Sequence, residues 1–187
     1  GGNHNVGLVL KHGGTMYIDE GKPVPGAFDA TVRNLRDVQP TLHFNVPRGY
    51  EMMAAAFEAD ESLARHFFSR LQMLFYAGAA MPQTTWARLE AMAAKVRDEP
   101  LFMTTSWGST ETAPANTFVN WKIERAGVIG NPLPGAEAKL VPNAGKLELR
   151  VRGPNIFPGY RNAPAISREA FDDEGFYKIG DAGYLAD

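Results

Sequence analysis

The chain has 187 residues, 44% of them apolar and 21% charged, with a net charge of −2 and no cysteine. This is the balance of a globular protein able to bury a core, with one domain of ordinary size or two small ones. The charge gives no electrostatic case for nucleic acid or an anionic membrane surface. The missing thiols exclude disulfides, thiolate catalysis and cysteine-based metal sites.

No apolar run approaches transmembrane length, and GGNHNVGL at the start lacks the basic and apolar regions of a signal peptide. A cytoplasmic protein is the expectation. The chain does not begin with Met and stops at GDAGYLAD, so both ends read as cut and a longer parent protein is expected.

In chain order, GGTMYID (13–19) reads as a strand. Phe28, Val32, Leu35 and Val38 recur at helical spacing and predict a helix over 26–39, closed by Pro40. TLHFNVP (41–47) reads as a second strand. Residues 48–70 predict one or two helices, with Asp60 as N-cap of the second. QMLFYAG (72–78) is a third strand. The helix predicted over 82–97 has Pro82 near its first turn and Trp86, Leu89, Ala93 and Val96 on one face. LFMTT (101–105) closes the alternation as a fourth strand. Strands alternating with helices predict an α/β fold with a parallel sheet flanked by helices.

After about residue 125 glycine and proline become dense. Ala136–Val141 and Lys146–Val151 alternate as strands, a short helix is expected over Pro164–Phe171, and a last strand near Phe176–Ile179. The expected organisation is an α/β subdomain over 1–125 and a truncated β-rich, barrel-like subdomain over 126–187.

Ligands of open parallel sheets bind at the carboxyl ends of the strands. Two strands end there in unusual sequences, YAGAAMP (76–82) and TTSWGSTET (104–112). Gly78, Ala79 and Ala80 let a flat ligand approach the backbone. The second stretch offers an aromatic ring, hydroxyls and a carboxylate. Together they suit a nucleotide, with a purine at Trp107, phosphate oxygens at Thr110 and Mg²⁺ near Glu111, because magnesium takes hard oxygen ligands and few carboxylates. On placement alone a nucleotide loop and an ordinary polar loop remain equally tenable.

WGSTE (107–111) resembles the aromatic-Gly-x-Thr-Glu motif of the adenylate-forming enzymes: acyl-CoA synthetases, luciferases and peptide-synthetase adenylation domains. YAGAAMP resembles their small-residue adenine loop. GVIGNPLPG (127–135) and KLELRVRGPNIFPGYR (146–161) look like the family's passage into its β-barrel, and GFYKIGDAG (175–183) like its aromatic-x-Thr-Gly-Asp segment. Two positions depart from the pattern: Ile179 stands where Thr is usual, and Trp107 where Tyr is commoner. The resemblance covers nearly the whole chain as an internal fragment of the family's large N-terminal domain. GGNHNVGLVLKHGGTMYID, NVPRGYEMM and FFSRLQMLFYAGAAMPQTTWARLE are similar to feruloyl-CoA synthetases and related aromatic-acid:CoA ligases.

The resemblance implies ATP and AMP binding, Mg²⁺, CoA as co-substrate and an aromatic carboxylic acid as substrate. It places adenine at Gly78–Ala80, Trp107 and Gly108, phosphate at Thr110, Mg²⁺ at Glu111 and the ribose hydroxyls at Asp181. Thr105 and Ser106 would line the acyl pocket. His4 is read either as a group near the acyl carboxylate or as a helix-start histidine bonded to backbone. Glu111 could instead cap a helix or pair with lysine, and Asp181 could shape a turn.

The family's phosphate loop and the lysine used for adenylation are expected outside this chain, which alone should be inactive. An adenylating domain that feeds a carrier protein or reductase, or a non-catalytic nucleotide-binding scaffold, are the alternatives. His12, His43 and His66 show no metal-ligand spacing. Gly153, Pro154, Pro158 and Gly159 read as barrel geometry, Tyr160 and Arg161 as packing and surface, and DDEG (172–175) as a solvated turn.

Overall fold

The computed structural model describes residues 2–186, and these divide into two compact units, 2–103 and 104–186. The first unit is α/β. Helix α1 spans Gly2–His12, where the sequence offers only a helix start at His4 as one of two readings. Lys11 and His12 lie in its last turn, where cations face the negative end of the helix dipole. Gly13 follows with φ +66°, and the Gly14 amide returns to the Val9 carbonyl at 3.2 Å, a glycine helix stop.

The strand expected over 13–19 is absent. Met16, Tyr17 and Ile18 are 38, 68 and 81% exposed, and no strand pairs with this stretch among the described residues. Side-chain bonds fix its end instead. Asp19 accepts from the Thr31 hydroxyl at 2.5 Å, the Gly21 amide at 3.0 Å and Asn34 Nδ2 at 2.8 Å. Alternation without a neighbouring strand leaves apolar side chains in solvent.

Helix α2 (Asp29–Asp37) lies inside the expected range and buries Leu35, with Phe28 just before it. Strands β1 (Leu42–Asn45) and β2 (Met73–Tyr76) pair in parallel, with Leu42 opposite Met73 and Asn45 opposite Tyr76. Two helices connect them, α3 (Pro47–Ala59) and α4 (Glu61–Phe68). Asp60 caps α4 by accepting from the Leu63 amide at 3.1 Å, as expected, and its carboxyl is lowered to about 2 by bonds from Ser62, Leu63 and Arg36. Helix α5 (Gln83–Ala93) follows β2 and turns Trp86, Leu89 and Ala93 inward. The core of this unit is aromatic. Tyr50, Phe57, Phe67, Phe68 and Trp86 are at most 2% exposed, and Phe67 packs edge-on against Phe68 at 5.0 Å.

Strand β3 is Met103–Trp107, two residues further along than the 101–105 expected, so Thr105, Ser106 and Trp107 are strand residues. In the second unit β3 pairs antiparallel with β4 (Thr117–Phe118), which pairs with β5 (Asn131–Pro132). A separate three-stranded antiparallel sheet contains β6 (Glu137–Asn143), β7 (Lys146–Arg152) and β8 (Tyr177–Ala182) in that order. Its β6–β7 hairpin turns through Ala144 and Gly145 at φ +47° and +78°, the two left-handed positions a two-residue hairpin requires. Helix α6 (Pro164–Glu169) precedes β8.

Candidate functional site

The residues 104–112 make a strand that runs straight into a single tight turn. The Thr104 hydroxyl, fully buried, donates to the Val119 carbonyl at 2.5 Å. Ser106 and Trp107 stand opposite Phe118 and Thr117. At Gly108 a side chain has no room, because a Cβ would lie 2.4 Å from both the Pro114 carbonyl and the Thr112 hydroxyl. The chain then enters a 3-10 turn, η1 (Thr110–Thr112). Ser109 caps it, accepting from the Glu111 amide at 3.2 Å, while the Ser109 amide donates to the Thr112 hydroxyl at 2.9 Å. The turn leaves Thr110 exposed and fixes Glu111 beside it.

Glu111 is held from three sides. The Tyr160 hydroxyl donates to its Oε1 at 3.0 Å, and the Phe157 amide donates to its backbone carbonyl at 2.9 Å. Asn155 Nδ2 donates to the Thr112 and Ala115 carbonyls, both at 2.9 Å, and so braces the far side of the turn. Bonds from the Ser109 hydroxyl, its own amide and Tyr160 hold the Glu111 carboxyl below its usual range. Bonding to Tyr177 and to Glu111, with burial, raises the Tyr160 phenol, which stays protonated as the donor. The segment NIFPGY (155–160), which reads as barrel geometry and packing in the sequence, is the brace of this turn. A tyrosine and an asparagine forty to fifty residues away carry no periodic signal, so residue reasoning missed them.

Asp181 lies on β8, where the pairing with β7 is irregular. Lys178 stands opposite Arg150 and Ala182 opposite Glu148, so four steps of β8 run against two of β7. Gly180 within this bulge has φ +88°. Bulges re-aim side chains, and this one sends Asp181 to Trp107, whose indole Nε1 donates to Asp181 Oδ2 at 2.8 Å. The β6–β7–β8 sheet is fixed by ion pairs around Arg150, which meets Glu148 at 2.7 Å and Asp172 at 3.1 Å, with Lys139 also on Asp172 at 2.8 Å. Burial pushes the Asp172 carboxyl up, but bonds from Lys139, the Phe176 amide and Arg150 outweigh it and the group sits far below its usual range. Of the acidic run expected to be a solvated turn, Asp172 is therefore an ion-pair centre, while Asp173 and Glu174 are exposed.

The structure thus brings Thr105, Ser106, Trp107, Gly108, Thr110, Glu111 and Asp181 into one unit and joins Trp107 to Asp181 directly. Thr105 is 5% exposed and its hydroxyl donates to the Ser106 carbonyl at 3.3 Å. Gly78, Ala79, Ala80 and His4 belong to the first unit. The loop 78–80 is exposed between β2 and α5, and Gly78 has φ +88° with only Val46 near its absent Cβ, at 3.7 Å. His4 is exposed on α1, its ring Nδ1 3.2 Å from Asn5 Oδ1.

The donor chemistry fits magnesium. Glu111 offers an ionised oxygen ligand, and no group of three or more His, Cys, Asp or Glu among the described residues could encase a metal ion. A single anchored carboxylate suits an ion that completes its shell with water and phosphate oxygens. The described residues contain no helix long and apolar enough to cross a membrane.

A strand and 3-10 turn carry Thr110 and Glu111, and a bulge delivers Asp181 to the neighbouring indole. Residues 2–161 match the family model of the AMP-binding enzymes, and the chain belongs to that family. It is 28% identical over 148 residues to a malonate–CoA ligase of Arabidopsis thaliana, covering 77% of this chain and 23% of that protein. A phenylacetyl-CoA ligase of Aspergillus niger is 32% identical over 123 residues, 61% of this chain and 22% of that one. Among solved structures, a malonyl-CoA ligase in a ternary product complex with methylmalonyl-CoA and AMP is 34% identical, with a TM-score of 0.66 over 82% of this chain and 33% of that chain. The chain spans under a quarter of the length of these two curated relatives.

Proposed function

We propose that this chain is the nucleotide-handling part of an ATP-dependent carboxylic acid:CoA ligase, acting on an aromatic acid. The observation that carries the reading is the pair of anchored carboxylates, Glu111 under Tyr160 and Asp181 under Trp107, in a member of the AMP-binding enzyme family. In the proposed reaction a carboxylate oxygen attacks the α-phosphorus of ATP and pyrophosphate leaves. The CoA sulfur then attacks the acyl carbon and AMP leaves, so the thiol comes from the substrate.

For the residues of the second unit, position supports the proposed role. Trp107 presents a ring for adenine, with Gly108 beside it, and a carboxylate at Asp181 accepts from ribose hydroxyls, a charge-assisted bond stronger than a neutral one. The exposed Thr110 hydroxyl donates to a phosphate oxygen. Glu111 would hold Mg²⁺, and the ion would neutralise phosphate charge. Tyr160 keeps one Glu111 oxygen occupied and the side chain in one orientation. For Gly78, Ala79 and Ala80 at adenine, and for His4, Thr105 and Ser106 at the acyl group, the proposal rests on residue type and family resemblance.

The relatives named for malonate and for phenylacetate leave the acid to experiment. Acid-dependent exchange of pyrophosphate into ATP, measured on a relative-length protein carrying this chain, tests the reading. Exchange should be supported by hydroxycinnamates and fall at least about a hundredfold in Glu111→Ala. Exchange with malonate alone would remove the aromatic assignment, and unchanged exchange in Glu111→Ala would remove the magnesium role.

A further inference from the structure

Asp181 has two carboxylate oxygens, and they are not equivalent. Oδ2 accepts the indole N–H of Trp107 at 2.8 Å, while Oδ1 accepts no hydrogen bond among the described residues. The backbone beneath is a bulge with a left-handed Gly180, a geometry that aims the side chain but does not restrain its rotation. The restraint comes from Trp107, which is itself fixed in β3 opposite Thr117. A bond from a neutral N–H to a carboxylate is charge-assisted and strong enough to select one rotamer.

We infer that Trp107 is a positioning residue for Asp181: its indole N–H fixes Oδ2 and leaves Oδ1 as the oxygen that receives a ligand hydroxyl. The inference rests on the ribose reading of Asp181 and adds a second duty to Trp107 beyond stacking. It also gives a physical reason for an indole at this position, since a phenyl ring could stack equally well but has no donor. The carboxylate is thereby pre-organised, and the ligand need not bear the entropy of ordering it.

The test uses Trp107→Phe, which keeps a ring, and Asp181→Ala, which removes the acceptor. The chain has three tryptophans, so the indole N–H resonance lost in Trp107→Phe identifies Trp107 in a ¹⁵N spectrum. In Asp181→Ala that resonance should move upfield more than the other two. Calorimetric titration with AMP and with 2′,3′-dideoxy-AMP then measures the worth of the diol. The wild-type chain should prefer AMP by about tenfold or more, as a hydrogen bond to a charged group implies. Trp107→Phe should lose most of that preference, read as the ratio of the AMP to the dideoxy-AMP affinity within the variant, so that any change in adenine stacking cancels.

A Trp107 resonance that ignores Asp181→Ala, or a diol preference intact in Trp107→Phe, overturns this inference alone. Absence of AMP binding, or AMP binding unchanged in Asp181→Ala, overturns the ribose reading and the inference with it.

Discussion

In the first unit the deepest side chains are the largest apolar ones, Trp86, Tyr50, Phe57, Phe67 and Phe68, packed ring against ring behind a parallel strand pair. In the second, the residues proposed for function are fixed by directed polar bonds over long sequence separations: Trp107 to Asp181, Tyr160 to Glu111 and Asn155 to the turn. Apolar packing is non-directional and tolerates adjustment. A hydrogen bond at 2.8 or 2.9 Å fixes both distance and angle, which a carboxylate facing a ligand needs. The contrast separates a unit whose residues mainly supply stability from one whose residues mainly supply position.

The largest expected effect strikes the first unit. Phe67→Ala empties a site touched by Phe57, Phe68 and His43, and should cost about 3–5 kcal/mol in urea denaturation. A smaller loss would mean that the aromatic core is not what holds this unit.

The same unit should be sensitive to acid. Burial lowers His43 from 6.5 to about 4, against the opposing charge of Asp19. The unfolded chain therefore binds the proton more readily, so stability is full above about 6.5 and falls as the pH drops towards 4. The loss should reach roughly 2–3 kcal/mol, and a His43→Asn variant should show a flatter profile between those limits.

In the second unit, Gly108→Ala forces a methyl against the Pro114 carbonyl and the Thr112 hydroxyl and should cost about 2 kcal/mol, together with AMP binding. Asn155→Ala leaves the Thr112 and Ala115 carbonyls without their donor and should cost about 1–2 kcal/mol. The comparison sharpens if Asn155→Ala, despite its smaller stability loss, weakens nucleotide binding more than Phe67→Ala does where both are folded, and it breaks if the order is reversed. The smallest effect is a gain. Ala144 sits at φ +47°, a conformation asparagine adopts more readily, so Ala144→Asn should stabilise the hairpin by about 0.5 kcal/mol without touching AMP binding.

What could be read from the sequence follows the same division. Helices α2 to α5, the cap at Asp60 and the paired β6 and β7 all declare themselves through local periodicity or capping chemistry. The alternation in 13–19 misled, because a pleated pattern predicts a strand only where a neighbour exists to pair with it. The start and end of β3 were misplaced by two residues because Thr, Ser and Trp serve strands and loops alike. The motif residues at 107–111 and Asp181 were visible through resemblance. Tyr160 was visible only as packing and Asn155 not at all, since the partners that give them meaning lie forty or more positions away. The bulge that aims Asp181 leaves one trace, Gly180, which by itself reads as a turn.

Calorimetric titration of AMP into the wild-type chain and into Asp181→Ala tests the central claim most directly. The account predicts saturable binding by the wild-type chain and a loss of about tenfold or more in the variant. Equal affinity in the two would contradict it.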